Sequence, residues 1–233
     1  MTDHKQEPHA VRMTWHNLLF LHWRLPASVI RPLVPEQLEI DTFDGSAWVA
    51  LVPFEMTETS FKGVPPLPGL SRFFECNVRT YVRHGGTSGV WFLSLDAEHL
   101  LPVLGGRWLW SLNYVHSRFT VTEGERTDYA LTRRPSRHWP KGSARIVWTR
   151  GEALPTSEPG SLEHFLTERY CLYTKRRGRI MSGRIDHEPW PLRQATLNEL
   201  DDSLIAAAGI AVEGEPLVMM SDSIDVLGYK LSK

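Results

Sequence analysis

Read with a period of two, residues 73–82 (FFECNVRTYV) separate into two faces. Phe74, Cys76, Val78, Thr80 and Val82 make one nearly unbroken apolar face, while Glu75, Asn77 and Arg79 stand between the aromatic residues Phe73 and Tyr81 on the other. This alternation predicts a strand. HGGTS then leads into GVWFLSLDA (89–97), which predicts a β-hairpin with a glycine-dependent loop. The second arm is apolar at odd and even positions alike, and so is AWVALVPFEM (47–56), the pattern of strands covered on both faces.

Other strands follow from the same reading. WHNLLFLHWRL (15–25) is one, closed by Pro26, and a turn-rich or helical segment runs from Ile30 to Gly45. The Pro- and Gly-rich stretch 57–72 predicts a loop long enough to act as a lid. Residues 97–110 predict a short helix ended or bent near Gly105 and Gly106. YVHSRFTVT and RTDYALTRR predict a hairpin, SARIVWTR a strand, and SLEHFLTERY a short helix with Ser161 as its N-cap. CLYTKRRGRIMSGRI reads as a hairpin, LNELDDSLIAAAGI as a helix ending at Gly209, and 217–231 as a last strand or bent pair. About ten strands and three short helices, with no βαβ alternation, predict a mainly β (α+β) chain built as an antiparallel barrel or sandwich.

The 233 residues suit a single β domain over 13–233 behind a polar tail, 1–12. A formal net charge of −1 gives no field to gather nucleic acid or an anionic membrane, which leaves small molecules or proteins as partners. The basic run KRRGR (175–179) accordingly reads as a charged hairpin turn. Cys76 and Cys171 are too few for a disulfide framework or a CxxC pair. The polar N-terminus and the absence of a membrane-length apolar run predict a cytoplasmic protein. Nine Trp and twenty Arg (26 basic residues less six Lys) predict an aromatic core or cavity with guanidinium groups nearby.

Standard nucleophile-elbow, phosphate-loop, dinucleotide and zinc signatures do not occur, so no cofactor and no metal are expected. His16 and His22 share a strand face, but six residues apart on a straight strand they cannot hold one metal ion. The polar face of 73–81 is more informative. In a doubly covered sheet Glu75 beside Arg79 has to be paired and hydrogen bonded. A second strand repeats the design with Tyr114, His116 and Arg118 on one face. Pattern alone fits both a pocket wall and a solvated outer face.

The runs WHNLLFLHWRLP, LVPEQLEIDTFDGSAWVALVPF, ECNVRTYV, GVWFLSLDA, FLTERYCLYT and HEPWPL, spread from Trp15 to about Trp190, resemble the YqjF-like family, which is related in fold to acetoacetate decarboxylase. The resemblance implies an open, cone-like antiparallel β-barrel around a cavity, with the polar face of 73–81 turned inward. Followed residue by residue, it sets Glu75 at the decarboxylase glutamate and Gly106 and Arg107 at the start of its helix. Leu112, Asn113 and Tyr114 then occupy the Phe-Pro-Lys positions. Tyrosine has no amine, so imine chemistry is not expected.

The expectation is therefore a cavity for a small anionic ligand, with two readings open. One is an enzyme acting on a small organic acid or carbonyl compound without a Schiff-base lysine; the other is a non-catalytic binding or sensing protein. Arg79 or Arg118 would hold the anion with Asn77 beside them, Glu75 would act ionised, and Tyr114 and His116 would donate protons. HEPWPL reads as packing Trp190 rather than as delivering His187 to the site. A decarboxylase with a displaced lysine is a third possibility.

Overall fold

The alternating patterns resolve, in a computed structural model that describes residues 9–61, 71–100, 103 and 110–232, into twelve strands. In chain order these are β1 (Val11–Leu25), β2 (Glu39–Ile40), β3 (Ala47–Phe61), β4 (Phe73–His84), β5 (Thr87–Ala97) and β6 (Tyr114–Thr122). They continue with β7 (Arg126–Arg133), β8 (Ser143–Ala153), β9 (Cys171–Arg176), β10 (Arg179–Asp186), β11 (Leu192–Asp202) and β12 (Leu217–Ser232). The described helices are short: α1 (Ala27–Ile30), α2 (Leu162–Thr167) and α3 (Leu204–Ala207). Ser161 caps α2 by accepting a 3.1 Å hydrogen bond from the His164 amide. None of these helices is long and apolar enough to cross a membrane.

The sheet runs β10-β9-β5-β6-β7-β8-β11-β12-β1-β3-β4-β2, and additional β10–β12 and β4–β5 pairings turn it back on itself. Two hydrogen-bonded circuits result. One passes through β12, β1, β3, β4, β5, β9 and β10; the other leaves β5 through β6, β7, β8 and β11 before returning to β12. The wall from β12 to β5 is common to both. Its strands consequently serve two interiors. Leu18 and Phe20 of β1, Ala50, Val52 and Phe54 of β3 and Val90 of β5 pack in one cluster. Their alternates Leu19, Leu21, Val49, Leu51, Cys76 and Val78 pack in the other. This is why 47–56 is buried at every position.

The β4–β5 hairpin closes through Gly85 (φ 56°) and Gly86 (φ 83°), a two-residue loop whose twist needs positive φ at both positions. The charged KRRGR run closes the β9–β10 hairpin in the same way, through Arg177 (φ 49°) and Gly178 (φ 80°).

Two segments differ from expectation. Residues 57–61 extend β3 because Val11 and Arg12 of β1 pair with Phe61 and Ser60, a partnership nearly fifty residues distant. Residues 62–70 of the expected lid, and most of the expected helix over 97–110 with Gly106 and Arg107, lie outside the described residues. The expected helix from Leu197 is instead the end of β11, followed by the single turn of α3. A bulge between Leu197 and Glu199 spaces the inward-facing Leu197 and Leu200 three apart, which imitates a helical period. Asp202 then caps α3 by accepting from the amides of Leu204 (2.8 Å) and Ile205 (3.2 Å).

Candidate functional site

The polar face of β4 opens into a cavity of about 360 Å³ within the first circuit. Phe73, Glu75, Asn77 and Arg79 all line it, and none of the four is more than 8% exposed. The opposite walls are apolar and aromatic. Trp15 stacks on Trp190 with ring centroids 6.1 Å apart and tilts over Phe54 at 5.5 Å. Beyond Arg79, Tyr81 shares a 2.7 Å hydrogen bond with Nε2 of the buried His22. Burial, seconded by the Arg79 charge, holds the His22 imidazole well below its ordinary range and therefore neutral at pH 7.

Glu75 is not the ionised partner of Arg79 that the sequence suggested. No ion pair joins them among the described residues, because four residues of strand separate their backbones by about 13 Å. Glu75 instead accepts a 3.0 Å hydrogen bond from the Tyr114 hydroxyl. Burial pushes its carboxyl up to about 8, Tyr114 and the neighbouring Asn77 offset only part of that, and Asp96 adds to the rise. At pH 7 Glu75 is predominantly protonated. Tyr114 is itself pushed well above the ordinary phenol range by burial, then by Glu75.

Arg79 has a different imbalance. Its guanidinium lies 5.5 Å from the Phe20 ring centroid and 5.8 Å from that of Tyr81, and Nη2 reaches the Leu166 carbonyl at 3.5 Å. Nε finds no acceptor, and no carboxylate lies within ion-pair distance among the described residues. The nearby acid is already committed: Asp41 accepts from Arg169 at 2.6 Å and from Arg83 at 3.0 Å. Two guanidiniums thus share Asp41, and none of its oxygens is within ion-pair distance of Arg79.

The expected second polar strand contributes less. Tyr114 reaches the cavity, but β6 leaves β5 after Ala97↔His116 and joins β7 in the second circuit. His116 accordingly bonds the Glu98 carbonyl at 3.1 Å and does not line the cavity; Arg118 is exposed, outside it. The proposed pairing of two strand faces therefore reduces to β4 plus Tyr114. Lys141, Lys175 and Lys230 are exposed, and Lys62 lies outside the described residues.

Several lining residues escaped the sequence reading. Thr167 ends α2 and Arg169 follows it in a segment with no strand period, and Arg169 is recruited by Asp41, 128 positions away. Trp190 packs as expected, at 3% exposure, yet it also lines the cavity together with His187, which stacks on Tyr170 at 4.5 Å. HEPWPL was the visible signal, and packing and lining prove compatible.

Proteins of known structure share this architecture. The enduracididine biosynthesis enzyme MppR complexed with pyruvate superposes with a TM-score of 0.63 at 14% identity, covering 99% of this chain and 92% of that one. An acetoacetate decarboxylase from Legionella pneumophila gives 0.63 at 12%, covering 98% and 90%. An acetoacetate decarboxylase-like enzyme from Sphingomonas wittichii RW1 gives 0.63 at 12%, covering 100% and 97%. At such identities the likeness establishes the fold. In sequence, the uncharacterized protein YqjF of Bacillus subtilis (strain 168) is 36% identical over 225 residues, 96% of this chain and 92% of that protein. With the model of the DUF2071 family, uncharacterized conserved protein (COG2071), matching residues 12–225, the chain belongs to that family and carries the acetoacetate-decarboxylase-like fold.

Proposed function

We propose that this protein binds a small organic carboxylate with an apolar or aromatic body inside the first circuit. One observation carries the reading: Arg79 is a buried guanidinium on a cavity wall with no carboxylate partner among the described residues. An unpaired buried charge costs the fold several kcal/mol, and cation–π contacts with Phe20 and Tyr81 return only about 1 to 2 kcal/mol of it. A bound carboxylate supplies the missing partner, and the guanidinium fork suits it. Trp15, Phe54 and Trp190 would pack the apolar body. MppR, complexed with the small carboxylate pyruvate, lends support from the same fold.

The test is a ligand-observed NMR or thermal-shift screen of small carboxylates against the wild type and Arg79→Leu. Hits that vanish in the variant support the reading; hits indifferent to it defeat it.

A second reading, acid–base chemistry on the bound acid, is favoured by Glu75. With its carboxyl at about 8 and a hydrogen bond to Tyr114, it can hold and release a proton near neutral pH. Turnover of a bound acid that stops in Glu75→Gln while binding persists supports an enzyme. Saturable binding without turnover supports a binding or sensing protein.

A further inference from the structure

The shape of the cavity narrows the ligand class further. Its wall follows β3 from Val52 to Phe61 and β1 from Leu18 back to Val11. Along β3 that stretch covers about 30 Å of strand, or roughly 23 Å along the axis at the usual barrel tilt. The first circuit has only seven strands, and even eight leave an interior just wide enough for side chains or one small ligand. The 360 Å³ is therefore drawn out into a bore rather than gathered into a chamber.

The two ends of the bore differ. At one, α2 closes over Arg79, whose Nη2 reaches the Leu166 carbonyl, and Thr167 and Arg169 complete a buried wall. At the other, Val11 pairs with both Phe61 and Gly228, Phe61 is 44% exposed, and Ser60 and Ser71 bring polar groups to the wall. The stretch between is apolar, with Leu18, Val52, Phe54 and Met56 on β1 and β3. Glu75, the one carboxyl among the described lining residues, is protonated at pH 7 and bonded to Tyr114, so it presents no charge to a passing chain.

A guanidinium at the buried end of an apolar bore suits an amphiphile that lies head inward. A compact body would leave much of the length without contacts, whereas a flexible chain gains from each methylene it buries. At about 30 Å³ per non-hydrogen atom, the share of a molecule in liquid water, the cavity holds about a dozen such atoms.

We propose that the ligand is an unbranched fatty acid of about ten to twelve carbons, its carboxylate on Arg79 and its chain running past Phe54 and Met56 to end between Val11 and Phe61. This rests on the carboxylate reading above and specifies its substrate class.

Calorimetric titration of the full chain with the even-numbered acids from hexanoate to hexadecanoate, each kept monomeric, tests it. Affinity should rise about twofold to fourfold per methylene up to about ten to twelve carbons and then level. Decanoate should bind about tenfold or more tightly than 1-adamantanecarboxylate, which gathers a similar number of atoms into a ball. Met56→Trp obstructs the bore between Arg79 and the exposed end, so dodecanoate should lose about tenfold or more relative to hexanoate. A flat series, or an adamantane acid bound as tightly as decanoate, with all binding weakened in Arg79→Leu, overturns the chain assignment and leaves the carboxylate reading standing. A dodecanoate-to-hexanoate ratio unchanged in Met56→Trp also overturns it. Chain-length gain that is indifferent to Arg79→Leu at every length defeats both readings. Should Met56→Trp fail to fold, the wild-type comparison of decanoate with the adamantane acid decides.

Discussion

Replacing Glu75 by Gln keeps the size and hydrogen-bonding of the protonated acid while removing its titration. The magnitude follows from the site. Burial raises the carboxyl from its ordinary 4.5 to about 8 in the folded chain. Between those values the unfolded state has released a proton that the native state still holds, so native stability falls as pH rises across that window. The slope approaches about 1.4 kcal/mol per pH unit, and the accumulated loss above pH 8 is about 5 kcal/mol, an upper bound on what this one group contributes. Below pH 4.5 both states are protonated and the penalty is absent. Urea unfolding of the wild type and Glu75→Gln at intervals from pH 5 to 9 isolates the effect, because other titrating groups are common to both proteins. The difference in unfolding free energy should grow in favour of Gln from pH 5 to about 8 and then level. Parallel stability curves would refute the argument that burial governs Glu75, and a difference of opposite sign would restore it as an ionised partner of Arg79.

Further outcomes follow from named contacts. Tyr114→Phe removes a hydrogen bond that lowers the Glu75 carboxyl, so the levelling point in the same measurement should move above about 8; a downward move contradicts the contact. Asp96 accepts from Arg133 at 2.8 and 2.9 Å and from Ser117 at 2.7 Å with both charged side chains buried, so Asp96→Ala should cost about 3 to 5 kcal/mol in urea unfolding. A loss below about 1 kcal/mol would show that the pair is dispensable. A Cβ at Gly89 would stand 2.6 Å from the Cys171 carbonyl oxygen, where β5 and β9 close the first circuit. Gly89→Ala should therefore destabilise by about 1 to 3 kcal/mol and weaken carboxylate binding; an unchanged unfolding midpoint would contradict that approach.

Local period made most strands legible, and the alternation of β4 identified Glu75, Asn77 and Arg79 as a face to explain. The doubly apolar strands pointed correctly to a covered sheet. What local pattern cannot express is that β12, β1, β3, β4 and β5 separate two interiors, because this depends on the β10–β12 and β5–β9 closures between distant segments. The same limit placed Arg118 in the cavity: side-chain alternation gives the face but not the circuit to which β6 turns. Glu75 was misjudged for a related reason. Its charge state depends first on burial by distant segments, and then on Tyr114 and Asp96, neither of which the alternation of β4 reveals. The bulge at Leu197–Glu199 shows that one inserted residue is enough to disguise a strand as a helix.

The most direct test of the central claim compares a carboxylate with its uncharged isostere. Calorimetric titration of wild type and Arg79→Leu with 3-phenylpropionate and 3-phenylpropionamide isolates the guanidinium–carboxylate contact. The account predicts that wild type prefers the acid by about tenfold or more and that Arg79→Leu, folded and at least as stable, loses this preference. Equal binding of acid and amide by the wild type, or an acid preference that survives in Arg79→Leu, would contradict it.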